Sequence, residues 1–177
     1  MSQGSYNFSG ALPLAPFPYL EVAWLCAPNA AGQSISANSP TTLTLTDIIR
    51  ALGGIWSGIS VTSNQLTGVP AGRYSYEALV RFCDDAASGN SSYILSLFNV
   101  TDSSIISNGG DGVWDYYGGL CTLRGQFELA NPKTLDLRIL AGRSTVVHNK
   151  YGSASTAFTL STAGLDQRTT LKLQKIG

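Results

Sequence analysis

The stretch GRYSYEALVRF, residues 72–82, constrains the fold more than any other, because apolar and polar side chains alternate along it. One face would carry Tyr74, Tyr76, Ala78, Val80 and Phe82. The opposite face would carry Arg73, Ser75, Glu77 and Arg81, with Leu79 as the one apolar exception. Successive side chains of a β-strand point to opposite faces of a sheet. The pattern therefore predicts a strand with one packed face and one face that is wet or meets a partner.

The same alternation recurs along the chain, in YLEVAWLCA, LCTLRGQFEL, LDLRIL and TTLKLQKI. Polar loops and turns such as CDDAASGNSS and ANPKT separate these segments. Nine or ten short strands without a strand–helix–strand rhythm predict an all-β protein, a jelly-roll β-sandwich. Phe82 and Phe127 lie on the apolar sides of their strands and are predicted core residues.

Two segments need separate interpretations. SYILSLFNVTDSSIISNG, residues 92–109, predicts a hairpin with Tyr93, Leu95 and Leu97 on one face. Asn99, Thr101 and Asp102 can bond their own backbone and so fix its turn. In TLTLTDIIRALGG, residues 42–54, Thr46 or Asp47 could cap one helical turn that runs through Ala51-Leu52 and stops at Gly53-Gly54. GIWSGISV follows as a further apolar segment.

The composition and the N-terminal sequence argue against nucleic-acid binding, a secretory signal and membrane insertion. Charged residues make up 12% of the chain, with Lys+Arg 11 and Asp+Glu 11, so clustered cations for nucleic acid are not expected. The N-terminal MSQGSYNFSG lacks the positive region of a secretory signal. The apolar stretch after it is interrupted by prolines and Glu21, which argues against membrane insertion. We therefore expect folding in a cytoplasm.

Catalytic and metal-binding patterns are weak, and we expect no enzyme, no cofactor and no metal site. Cys26, Cys83 and Cys121 are an odd number at wide spacing, typical of small buried hydrophobic side chains. His148 is the single histidine, and no nucleophile-elbow motif in the sequence would supply a catalytic serine for it. The carboxylates of DDAASGN and GGDGVWD lack the spacing of a calcium loop.

Residues 1–18 form a separate Pro-rich segment, and the head domain is expected to span 19–177. Pro13, Pro16 and Pro18 favour an extended backbone, so the segment is either an attachment arm or a disordered tail.

The order SNQLTGVPAGRYSYEA, YILSLFNVTDSS, LRGQFELANPKTLDLRIL and TTLKLQKIG resembles the receptor-binding tip domains of phage tail and head fibres, over roughly residues 20–177. The pieces PAGRY and LFNVTD carry most of this resemblance. It implies a homotrimer of jelly rolls similar to the tumour-necrosis-factor and complement-head fold. The hairpin would then be an interior pair of a sheet, covered by the core on one face and by sister subunits on the other.

Two loops could bind a glycan. Trp114, Tyr116 and Tyr117 stand beside Asp111 and Asp115, which suits sugars because their apolar faces stack on aromatic rings while acids bind the hydroxyl groups. The alternative is that these aromatics pack at a three-fold interface. A second loop with Arg143, His148 and Tyr151 could bind an acidic sugar, or it could be an ordinary solvated loop.

These observations predict a virion fibre or spike protein that assembles in the host cytoplasm, binds other virion proteins through residues 1–18, and attaches to a host-surface polysaccharide. Three weak sites on one trimer would gain avidity. The alternatives are a capsid-decorating or adaptor protein without a receptor, a polysaccharide-degrading enzyme that uses Asp111 and Asp115, and a cellular lectin.

Overall fold

The computed structural model of the chain describes residues 17–26, 33–82, 92–109, 119–142, 145–147 and 166–177. These residues form β-strands and turns, and none of them belongs to a helix long and apolar enough to cross a membrane. The strands are β1 (Tyr19–Cys26), β2 (Gln33–Ile35), β3 (Thr41–Thr42), β4 (Asp47–Leu52), β5 (Ser60–Thr62), β6 (Gln65–Val69), β7 (Gly72–Phe82), β8 (Tyr93–Asn99), β9 (Ser104–Gly109), β10 (Gly119–Leu129), β11 (Lys133–Ala141), β12 (Thr145–Val147) and β13 (Asp166–Lys175).

The strands form two antiparallel sheets that face each other. One sheet has five strands in the order β10-β7-β13-β1-β4. The other has six strands, in the order β5-β6-β11-β8-β9 with β3 also paired to β11, and β12 pairs separately with β2. This architecture confirms the predicted all-β jelly-roll sandwich. The chain passes repeatedly from one sheet to the other, as the wide sequence separation of neighbouring strands shows.

The core lies between the sheets and takes the residues that the period-two patterns predicted. On β7 the alternate residues from Tyr74 to Val80 are buried, and on β11 Leu135, Leu137 and Ile139 are buried. The predicted core residue Phe127 is also buried and stacks on Tyr74, with ring centroids 5.2 Å apart. The side chain of Phe82 lies outside the described residues.

Tyr74 shows how a polar group is accommodated in this core. Its hydroxyl donates a hydrogen bond to the carbonyl oxygen of Pro70 at 2.8 Å. Burial raises the pKa of Tyr74 to about 12, because the phenolate form would lose its hydration. Trp56 lies beside it, with ring centroids 6.1 Å apart, and donates its indole N–H to Leu52.

The predicted helical turn after Thr46 is wrong. Residues 47–52 form β4, which pairs antiparallel with β1 in the register Val22 to Ile48 and Glu21 to Arg50. Pairing with β1 satisfies the backbone groups on one side of this strand, and two β-branched isoleucines favour a strand over a helical turn. The strand that replaces the helical turn ends at Leu52, and the two glycines that follow, Gly53 and Gly54, adopt φ of 93° and 68°. In the apolar segment that follows, the strand begins only at Ser60.

The hairpin of β8 and β9 places its residues on the predicted faces, with Tyr93, Leu95 and Leu97 buried. The turn is fixed as predicted by Asn99, whose Oδ1 accepts the backbone N–H of Asp102 at 3.1 Å. Thr101 instead accepts the backbone N–H of Thr134 at 2.9 Å, which ties this turn to the start of β11. The motif NVTD therefore stabilises the β8–β9 turn and connects it to the start of β11.

The expectation that both hairpin strands lie inside a sheet is wrong for β9. Among the described strands β8 is interior, but β9 ends the six-stranded sheet. The outer face of the hairpin is open in the single chain, with Ile94 45% and Ile105 57% exposed. The low charge of the hairpin therefore does not come from burial on both faces within one subunit.

Candidate binding surfaces

The residues predicted to contact a glycan lie outside the described residues, so their arrangement stays a prediction. They are Asp111, Trp114, Asp115, Tyr116, Tyr117, Arg143, His148 and Tyr151. The described strands place the ends of the first loop, because it leaves β9 at Gly109 and enters β10 at Gly119. Residues 1–16 of the predicted arm are also outside the described part.

The outer face of the five-stranded sheet carries a row of charges that alternate in sign, and we call it the charged face. Strand pairing aligns the row across all the strands of the sheet. In order from β4 to β10, its members are Arg50, Glu21, Lys172, Glu77 and Arg124. Each carboxylate lies between two cations, which is the arrangement of lowest electrostatic energy for side chains spaced by one strand.

Glu77 is the centre of this row. Its Oε1 accepts the Nε–H of Arg124 at 2.8 Å, and its Oε2 accepts Lys172 at 3.4 Å. The hydrogen bond from Arg124 lowers the pKa of the Glu77 carboxyl, burial raises it by less, and Lys172 lowers it further. The side chain of Arg124 is 72% exposed, so this pair has the weak strength of a surface salt bridge.

Beside the charged row runs a second row, which begins at the exposed Asp47 of β4, paired with Ala23, and continues through small or uncharged side chains. Register pairs Ala23 with Thr170, Thr170 with Leu79 and Leu79 with Thr122. Ala23 and Thr170 are buried although they point away from the core. Their short side chains leave the middle of the charged face nearly flat, which allows another flat surface to approach closely.

The outer face of the six-stranded sheet differs, and we call it the neutral face. Its charged centre is the ion pair of Arg138 with Asp136, in which Nε donates to Oδ1 at 3.0 Å and Nη2 to Oδ2 at 3.1 Å. The guanidinium carbon of Arg138 also lies 3.4 Å from the ring centroid of Phe98. Asp136 is fully buried, so its charge depends on this partner.

A second ion pair of the same sheet lies where the β8–β9 turn meets the start of β11. Lys133 Nζ donates to Asp102 Oδ1 at 2.6 Å, and this hydrogen bond lowers the pKa of the Asp102 carboxyl. Strands β8 and β9 contain no charged residue. In the described part of this sheet, every cation therefore belongs to an ion pair.

Sequence reasoning missed both faces as candidate sites. The alternation along β11 does place Asp136 and Arg138 on one side, two residues apart, and this was a usable signal for a paired cluster. The row of alternating charges was not visible, because it depends on the register of strands that are distant in sequence. Within the described ranges, no group of three or more His, Cys, Asp or Glu side chains could hold a metal ion.

No family model and no curated protein matches the sequence. Solved structures do resemble the fold. Murine APRIL at pH 5.0 superposes with a TM-score of 0.53 at 13% identity, covering 90% of this chain and 99% of that one. Eiger TNF from S. frugiperda superposes with a TM-score of 0.51 at 12% identity, covering 92% and 94%. At such low identity these likenesses show the fold, a TNF-like jelly roll, and not the function.

Proposed function

We propose that the protein is a non-enzymatic attachment protein of a phage or phage-like particle, in which a homotrimer of jelly-roll heads binds a glycan on the host surface. The observation that carries the proposal is the charged face: a flat row of small side chains beside a row of alternating charges. In a three-fold assembly each subunit meets two neighbours through different parts of this face, and a surface with charges of both signs can offer opposite charges to each of them. The TNF-like fold supports the same assembly.

The test of assembly is the solution mass of the purified chain by light scattering at pH 7. We expect a mass near three times 18.7 kDa. Thr122→Arg adds a bulky cation to the small row and should give a folded monomer. Thr62→Arg, at an exposed site on β5 in the other sheet, is the matched control and should keep the mass of the wild type. A monomeric wild-type chain contradicts the proposal.

Ligand binding is supported by the composition of residues 108–119, which combine aromatic and acidic side chains between glycines. Trp114→Ala should abolish binding to host cells while the trimer mass is unchanged. Binding that persists in this variant would remove residues 108–119 from the site. Release of reducing sugar from host polysaccharide would instead support the enzyme alternative.

The proposed arm can be tested with a truncation that the structure defines. The carbonyl oxygen of Pro18 accepts the backbone N–H of Lys175 at 2.9 Å, so Pro18 belongs to the folded head. Deletion of residues 1–16 leaves this contact in place. We expect the deleted protein to bind cells and to be lost from particles, whereas an adaptor without a receptor would show no cell binding in either form.

A further inference from the structure

The neutral face carries a row of hydrogen-bonding side chains across strands, in the part of the chain that the structure describes. Strand pairing aligns Thr42 with Arg138, Arg138 with Ser96, and Ser96 with Asn108. These side chains point away from the core, because their neighbours Leu95, Leu97 and Ile139 are buried. Neighbouring strands are about 4.8 Å apart, so the row is about 14 Å long.

Apolar side chains border this row on both sides. Leu140 is paired with Ile94 on one side. On the other side Phe98 is paired with Ile105 and also with the buried Asp136, and the guanidinium of Arg138 lies over its ring. Ile94 and Ile105 are the exposed members. The result is a shallow polar strip with hydrophobic margins, open to solvent and long enough for an elongated ligand.

We propose that this strip is a binding site for a neutral oligosaccharide, laid across strands β3, β11, β8 and β9. The inference rests on the proposed function, and it adds a site on the neutral face to the predicted loops. An amide and two hydroxyl groups in line, with the guanidinium of Arg138 beside them over the ring of Phe98, suit a chain of sugar hydroxyls, which both donate and accept hydrogen bonds. The isoleucines on the margins would cover the C–H faces of the sugar rings.

The ion pairs of this sheet favour a neutral sugar over an acidic one. Arg138 is held by Asp136 through two hydrogen bonds, and Lys133 is held by Asp102. An acidic sugar would have to compete with these carboxylates for its cation and would meet the charge of Asp136. A neutral sugar requires no such exchange, because it can accept from the remaining N–H groups of a guanidinium whose orientation is already fixed.

The guanidinium is also rigid, which favours binding. It lies on the ring of Phe98 and is bidentate to a buried carboxylate, so little side-chain entropy remains to be lost when a ligand binds. A protein partner would bind mainly through the exposed isoleucines and less through the polar row. The experiment below distinguishes this case from sugar binding.

The test uses the full chain, titrated with neutral hexose oligosaccharides of gluco, manno and galacto configuration and with hyaluronan and polysialic acid as acidic counterparts. Binding is measured by calorimetry and mapped by backbone amide chemical shifts. We expect a neutral oligosaccharide to bind and to shift the amides of residues 94–98, 105–109 and 136–140. The double variant Ser96→Ala/Asn108→Ala should weaken binding at least tenfold without a change in thermal midpoint. Ser34→Ala/Thr62→Ala, at exposed positions on β2 and β5, is the matched control.

The outcomes separate the two proposals. Sugar binding that the double variant leaves unchanged and that Trp114→Ala abolishes overturns the strip and keeps the proposed function. Binding confined to the acidic sugars overturns the strip as well. If no sugar from host polysaccharide binds, both the strip and the glycan-attachment function fail. Amide shifts on the neutral face that are caused by another virion protein would instead show that this face binds a protein partner.

Discussion

In the described part of the chain, the outer faces of both sheets contain ion pairs but use them differently. On the charged face, Glu77 joins the half-buried Lys172 and Arg124, whose side chain remains largely in contact with water. On the neutral face, Arg138 covers a carboxylate that is fully buried. The first arrangement keeps charge available to an approaching partner, while the second removes it. Two surfaces of one sandwich can thus be suited to different partners although their strands have the same alternating pattern.

The largest expected difference between the faces is in the cost of removing one arginine. Arg138→Ala leaves the Asp136 carboxylate buried without its partner and should lower the free energy of unfolding by about 3 kcal/mol. Arg124→Ala removes an exposed partner of Glu77 and should cost less than about 1 kcal/mol. Urea denaturation at pH 7 measures both values.

A double variant checks the reason for this difference. Asp136→Leu/Arg138→Met replaces the ion pair with apolar side chains of similar size and should recover most of the loss, because no buried charge remains. Equal costs for Arg138→Ala and Arg124→Ala would show that Asp136 reaches water when its partner is absent, and the contrast between the faces would be wrong.

How far the sequence could predict these surfaces depends on which interactions are local. The direction of each side chain followed from alternation within one strand, so the core residues Tyr74 and Phe127 and the outward position of Glu77 were predictable. The pairing of β1 with β4 was not, since it competes with a plausible helix cap at Asp47 and is decided by a partner more than twenty residues away. The same non-local register determines which charges are neighbours.

A smaller effect is expected from pH on the charged face. The folded pKa of Glu77 lies below its ordinary value of 4.5, so the fold stabilises the ionised carboxylate. This contribution is present above pH 4.5 and is lost as the pH falls through the folded pKa. Glu77→Gln should therefore lower the free energy of unfolding at pH 7 by about 0.5–1 kcal/mol, the range of exposed pairs. The difference from wild type should shrink below pH 4.5.

Thermal midpoints of both proteins between pH 3 and pH 7 provide this measurement. Glu128→Gln, which removes an exposed carboxylate from β10, controls for the change in net charge. A constant difference between Glu77→Gln and wild type across this range would mean that the variant acts through packing and not through the ionised carboxylate.

The smallest effects on folding should come from the exposed apolar side chains, and here the faces should differ in assembly only. Leu120 on the charged face and Ile105 on the neutral face are 49% and 57% exposed. Changing either to Ser should alter the free energy of unfolding of the monomer by less than about 0.5 kcal/mol. If the charged face joins the subunits, Leu120→Ser removes apolar area that the trimer buries and should weaken assembly by about 1–2 kcal/mol per subunit. Ile105→Ser should leave assembly unchanged. Sedimentation equilibrium over a range of concentrations measures the assembly of both variants. If only Ile105→Ser assembled more weakly, the neutral face and not the charged face would join the subunits.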